Sequence, residues 1–171
     1  MSAFSSKALM NQTVVFQCNI ASLPFAMKVL MSLNLDSIRT GLTGSTEIMV
    51  GTRDTAPHVG SGRIKVLATP VLVMLLEESA LNAVEGLLPE GHQTVGTRLD
   101  VSHTAATPVG MRVHAHAEVI RVEGRKLIFR VWAEDSVERI GEGVHERIIV
   151  NVERFDVRTQ AKAAAADLKI S

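Results

Sequence analysis

Residues 69–88 read TPVLVMLLEESALNAVEGLL. Thr is favoured as a helix cap and Pro at the first helical position. The run is too long for one strand and rich in Leu, Met, Ala and Glu. It predicts a helix from Pro70 to Leu87, stopped by Pro89 and Gly91. Downstream, the chain is strand-like: Thr94–Ala105, Met111–Val122, Lys126–Glu134 and Gly143–Phe155. Turns at Thr107–Pro108–Val109–Gly110 and Glu123–Gly124–Arg125 join the first three. Short connections favour antiparallel neighbours, so these four strands are expected as a meander. Upstream, Ser45–Val50 reads as a short strand and Thr52–Arg63, with Pro57, Gly60 and Gly62, as a loop.

A long apolar helix beside such strands has one natural packing solution, in which the sheet curls around the helix. Alternation agrees. Met111, Val113, Ala115, Ala117 and Val119 make one face, and Arg112, His114, His116 and Glu118 the other. The expected class is therefore α+β, with a long central helix wrapped by a curved antiparallel sheet. That domain should span residues 42–157. Residues 1–41 carry only Lys7, Lys28, Asp36 and Arg39 as charges and are expected to be a poorly ordered extension. Residues 158–171 are expected to be a polar, Ala-rich tail.

Composition excludes several function classes. Eighteen basic and eighteen acidic side chains cancel over 171 residues, so no electrostatic nucleic-acid binder is indicated. Aromatics make up 4%, with no Tyr, too few for stacking platforms. Cys18 is the single cysteine, which excludes an intrachain disulfide and a multi-cysteine zinc site. No apolar run reaches the length of a membrane span. A cytoplasmic protein with a small-molecule or protein partner is expected.

Five residues stand out as candidates. Glu77 shares its side of the helix with Val73, Met74, Ala80, Leu81 and Val84, whereas Glu78, Asn82 and Glu85, with Ser79 nearby, form the polar stripe. A carboxylate on an apolar stripe is costly unless paired or protonated, and burial would raise its pKa, as suits a general base or acid. The competing reading rotates the helix and puts Glu77 at a solvent edge. His103 sits in the alternating series Val95, Thr97, Leu99, Val101, His103 and should face the helix. A lone His there is usually a satisfied core residue; a second titratable group facing the same interior suggests a site. Thr69 is the expected helix cap, or a hydroxyl placed at the positive end of the helix. Eight residues of helix rise about 12 Å, so Thr69 and Glu77 of one chain are not expected to touch. Gly96 occupies a strand interior, where a bulge or a close approach explains glycine. Arg147 could bind a carboxylate or phosphate, or form a surface ion pair. The His114/His116 pair could in principle hold a metal, but a solvated face is favoured.

Four segments carry a family resemblance: LATPVLVMLLEESALNAV (67–84), TVGTRLDVSHTAATPVGMRV (94–113), VEGRKLIFRVWAED (122–135) and IGEGVHERIIVNVERF (140–155). Within them HTAATP and GEGVHER are distinctive. The chain resembles the hotdog-fold thioesterases of the fluoroacetyl-CoA thioesterase branch from about Thr43 to Phe155. The resemblance implies a homodimer or higher oligomer that hydrolyses an acyl-CoA near the subunit interface. It implies Thr69, Glu77 and His103 as the catalytic set, Gly96 lining the acyl site, and no cofactor beyond the CoA of the substrate. The specialised enzyme has an aromatic-bearing lid before the helix. Residues 58–67 here have no aromatic besides His58, so a more general acyl-CoA thioesterase for small or medium chains is expected. A non-catalytic acyl-CoA binding module and a dehydratase of the same fold are the alternatives. The Asp/His hydration motif of the latter is not found.

Overall fold

The structure, a computed structural model, describes residues 35–166. It contains β1 (Thr43–Met49), a 3-10 turn (Thr52–Asp54), a short α1 (Ala56–Val59), the long α2 (Thr69–Asn82), a second 3-10 turn (Glu85–Leu87), β2 (His92–His103), β3 (Arg112–Glu123), β4 (Lys126–Asp135), β5 (Arg139–Asn151) and α3 (Val152–Ala165). Five antiparallel strands form one sheet in the order β1-β3-β4-β5-β2. The sheet curls around α2, as expected from the helix and the alternation. Leu72, Leu75, Leu76 and Ala80 of α2 are buried against Val113, Ala115, Ala117, Val119, Leu127, Phe129 and Val131 of the sheet. Burial of that apolar area is the main stabilising term.

Several expectations are corrected. Only β3, β4 and β5 form the meander. β2 pairs with β5 and lies at the sheet edge, because the segment after His103 crosses to the far side before β3 begins. α2 ends at Asn82 rather than Leu87. The Asn82 side chain donates to the Ser45 carbonyl on β1, Ala83 and Val84 turn inward, and the chain continues as the second 3-10 turn. The last strand ends at Asn151, whose side chain caps α3 by accepting from the Arg154 N–H, so residues 152–155 are helical. Ser79 is not on the polar stripe. It is buried, and its hydroxyl donates to the Leu75 carbonyl.

The small residues have a purpose here. Gly44 of β1 lies directly on the α2 backbone, where a Cβ would meet the Ser79 carbonyl and the Ala83 nitrogen. Of the expected extension, residues 1–34 lie outside the described residues. Ile38 is buried, and the Gly41 N–H donates to the Val119 carbonyl at 2.8 Å. No helix among the described residues is long and apolar enough to cross a membrane.

Candidate active site

The five candidate residues fall into two groups set on α2, β2 and β5. At the start of α2, Ala68 rather than Thr69 is the cap residue, with extended backbone and no capping side chain. Thr69 is the first helical residue, so its hydroxyl is free for another partner. That partner is His103: Thr69 Oγ1 lies 2.9 Å from His103 Nδ1. His103 Nε2 is buried without a hydrogen-bond partner in the chain. Burial pulls the His103 pKa below the usual histidine value, against a smaller opposing pull from the Ala105 backbone. The imidazole is therefore neutral at pH 7 and able to accept a proton. An open cleft of about 330 Å³, lined by Ala56, Leu67, Thr69, His103 and Ala105 among others, gives access to the pair.

Two turns along the helix is the second group. Glu77 is not enclosed by an apolar stripe. Val73 is half-buried and Met74 exposed, and the Glu77 side chain is 41% exposed at the edge of α2 facing β2. The rotated-helix reading is thus the correct placement. Its carboxylate stands over Gly96. A Cβ on Gly96 would sit 2.5 Å from Glu77 Oε1 and 3.1 Å from His145 Cε1. Close approach and bulge both apply: the β2–β5 register shifts between Gly96 and Arg98, leaving Thr97 as the extra residue. That bulge overturns the alternating series read through Val95 and Thr97. Before it, Thr94 and Gly96 face the helix; after it, Leu99, Val101 and His103 do.

Arg147 is not a surface ion-pair residue. It is 4% exposed and faces Gly96 across the ladder. Its Nε donates to Thr94 Oγ1 and its Nη2 to the Thr94 carbonyl, both at 2.9 Å. Nη1 donates to His145 Nε2 at 3.0 Å and lies 3.5 Å from Glu77 Oε1. Burial lowers the Arg147 pKa and Glu77 opposes that, but the guanidinium stays charged. His145 was not singled out from sequence as a site residue. It is 1% exposed, with Nδ1 2.9 Å from the Arg98 carbonyl. A carbonyl only accepts, so Nδ1 carries the proton and Nε2 is the bare nitrogen that accepts from Arg147. Burial first, and the Arg147 charge besides, hold the His145 pKa below the usual value; the Arg98 carbonyl and Glu77 pull the other way. The 3.7 Å approach of His145 to Glu77 is therefore not an ion pair. Val73, Glu77, Gly96, Leu99 and His145 border an open cleft of about 260 Å³. The signal that could have exposed this cluster is the pairing of GEGVHER with the strand containing Gly96.

The two groups are separate within one chain. Gly96 faces Arg147 and His103 faces Gly141, six positions further along β5, or about 20 Å of strand. His114 and His116 take part in neither. His114 pairs with Glu47, while His116 stacks on Trp132 and approaches Glu134. A larger open groove of about 570 Å³ near Met49 and residues 108–112 has Arg112 as its titratable group, and Arg112 is paired with Glu47.

A family model for the fluoroacetyl-CoA-specific thioesterase matches residues 50–153. The chain belongs to that family. A fluoroacetyl-CoA thioesterase from Streptantibioticus cattleyicolor is 42% identical over 101 residues, 59% of this chain and 73% of its own length. A solved structure of the fluoroacetyl-CoA thioesterase FlK is 35% identical with a TM-score of 0.69, covering 73% of this chain and 97% of that one. A thioesterase superfamily member from Thermus thermophilus, 24% identical with a TM-score of 0.71 over 76% of this chain and 96% of its own, shares the fold. The architecture is thus the hotdog fold, and the family is one of thioester hydrolases.

Proposed function

We propose that the protein is a cytoplasmic homodimeric acyl-CoA thioesterase for small or medium acyl chains, with Thr69, Glu77 and His103 as its catalytic set. The observation that carries this reading is the Thr69–His103 pair at the head of α2, with His103 Nε2 buried and unpartnered. A buried polar atom without a partner is costly unless something from outside meets it. In this chain's family of thioester hydrolases, that something is a reacting group.

The edge position of β2 supports a second copy. An unpaired strand of twelve residues is a template for pairing. An antiparallel β2–β2 ladder about a two-fold near Asp100 would set His103 across from the partner subunit's Gly96, midway between the six intervening positions. The two separated groups would then join into two equivalent sites, each with Thr69 and His103 from one copy and the partner's Glu77, the arrangement an isologous interface allows. In such a site the head of α2 and Thr69 polarise the thioester carbonyl. Glu77 either attacks it as a carboxylate, expelling the CoA thiolate and leaving a mixed anhydride that water then hydrolyses, or activates water for direct attack; in both routes His103 relays the proton lost by water to the CoA thiolate. Gly96 leaves room for the acyl carbon, and Arg147 holds charge behind it. CoA enters as substrate, and the scheme requires no metal or redox cofactor.

One solved FlK structure, 36% identical with a TM-score of 0.64 over 69% of this chain and 99% of that one, holds fluoroacetate and CoA. The segment before the helix here has no aromatic besides His58, which favours a broader substrate range. A panel of acetyl-, fluoroacetyl-, propionyl-, butyryl- and hexanoyl-CoA with thiol detection tests the function. Release of CoA from the unfluorinated short chains is expected. Binding without turnover across the panel overturns the enzyme reading.

A further inference from the structure

We propose that His145, in no part of the catalytic set, is the positioning residue that fixes Arg147, and through it the Glu77 carboxylate. This rests on the reading of Glu77 as catalytic. Arg147 has a long, rotamer-rich side chain, and a buried guanidinium can serve a carboxylate only if its fork is held. Thr94 holds two of its three nitrogens. Nη1 is the one that reaches Glu77, and its other contact is His145 Nε2 at 3.0 Å. That nitrogen can accept only if the proton sits on Nδ1, and the Arg98 carbonyl 2.9 Å from Nδ1 puts it there. The imidazole is enclosed, 1% exposed, with the Phe129 ring beside it at a centroid distance of 6.3 Å. The chain of contacts therefore runs from the Arg98 carbonyl through one imidazole tautomer to the guanidinium and on to the carboxylate. His145 moves no proton in the reaction. Its function is to decide where the Nη1 hydrogens point.

Two isosteric replacements separate this from a merely structural role. Asn places an amide nitrogen where Nδ1 was, so His145→Asn keeps the Arg98 bond and loses the one to Arg147. Gln places its carbonyl oxygen where Nε2 was, so His145→Gln keeps the acceptor for Arg147. With acetyl-CoA as substrate, His145→Gln should stay within about threefold of the parent kcat, while His145→Asn falls about 10- to 100-fold with KM within about threefold. Equal kcat values for the two variants, or the reverse order, overturn the proposal. Imidazole nitrogen shifts of the unmodified protein at pH 7 supply a readout independent of activity. They should give the Nδ1–H tautomer, and an Nε2–H tautomer or a doubly protonated ring overturns it. Full activity in Glu77→Gln would instead defeat the reading of Glu77, leaving the tautomer result to judge the contact with Arg147.

Discussion

Two strand glycines meet the same helix, and they teach opposite lessons. Gly44 of β1 lies on the α2 backbone at Ser79 and Ala83, among atoms that cannot move. Gly96 of β2 lies beneath the Glu77 carboxylate, the free end of a flexible side chain. On the β1 side the strand is closely packed on the helix backbone. On the β2 side the helix is lined by a charged arginine, a neutral histidine and an open cleft. Missing side-chain volume lets the strand close on the helix at one site and leaves room for a carboxylate beside a buried arginine at the other.

The largest effect is expected on the chemical side. Glu77→Gln should lower acyl-CoA turnover by about 10²–10⁴-fold, the usual worth of a positioned acid–base group. Glu78→Gln, exposed on the adjacent stripe, should be nearly silent. Because Glu77 is the carboxylate closest to the buried Arg147 charge, the Gln variant should also lose about 1–2 kcal/mol of stability. Steady-state kinetics and a denaturant midpoint together check both parts. Equal activity in the two variants would remove Glu77 from the site.

The glycines come next and should part company. Gly44→Ala should cost about 3 kcal/mol or more, since its methyl would overlap helix backbone and β1 would have to lift away. Gly96→Ala should cost less, about 1–2 kcal/mol, because the carboxylate above it can swing aside while the buried His145 ring, 3.1 Å from the new methyl, has to give by only a few tenths of an ångström. That swing moves Glu77, so turnover should fall about 10- to 100-fold. Thermal melts and turnover of the two variants give four numbers. If Gly96→Ala unfolds like Gly44→Ala, the site side is as rigid as the packing side and the contrast fails.

Much of this division was legible in the sequence. The helix announced itself through TPVLVMLLEESALN, β3 through alternation, and the β3–β4 connection through a Gly124 hairpin with φ of 59°. The position of β2 was not legible, because a strand's place in the sheet depends on where the chain crosses, and no local pattern records that. The bulge at Thr97 reversed the parity of half of β2, so Val95 and Thr97 seemed to face inward when Thr94 and Gly96 do. The burial of Arg147, though not its candidacy, was hidden by a sound rule, that charged residues stay at the surface unless paired. Its pairing is made by Thr94 and His145, which become its neighbours only through the ladder. Glu77 and His103 are candidates because a titratable group among apolar ones is unusual, and the structure sets Glu77 at the helix edge rather than within that stripe.

Acid should discriminate between the two sides more gently. His103 and His145 both have folded-state pKa values depressed by burial, so the unfolded chain binds protons more readily than the native one. Stability should be constant above about pH 6.5, the ordinary histidine value, and fall as pH drops below it towards the folded-state values. Denaturant midpoints between pH 8 and 5 should trace that fall, and His145→Gln should make it shallower by removing one of the two groups. An unchanged slope in that variant would mean His145 takes up no proton on unfolding.

The smallest expected effect lies at the closest point of the packed side. Ser79 is buried beneath Gly44, and its hydroxyl donates to the Leu75 carbonyl one turn back at 2.8 Å. That carbonyl already accepts within the helix, so the hydroxyl bond adds little and tends to bend the backbone. Ser79→Ala removes the bond but leaves no stranded partner, and Ala is the better helix former by a few tenths of a kcal/mol. The two terms nearly offset, and the variant should melt within about 0.5 kcal/mol of the parent. Ser79→Val is the informative companion. Its added methyls have to fit where β1 leaves no Cβ of its own, so it should lose about 2 kcal/mol or more. A neutral Val beside a neutral Ala would mean that β1 stands off the helix in solution and that Gly44 is there for another reason.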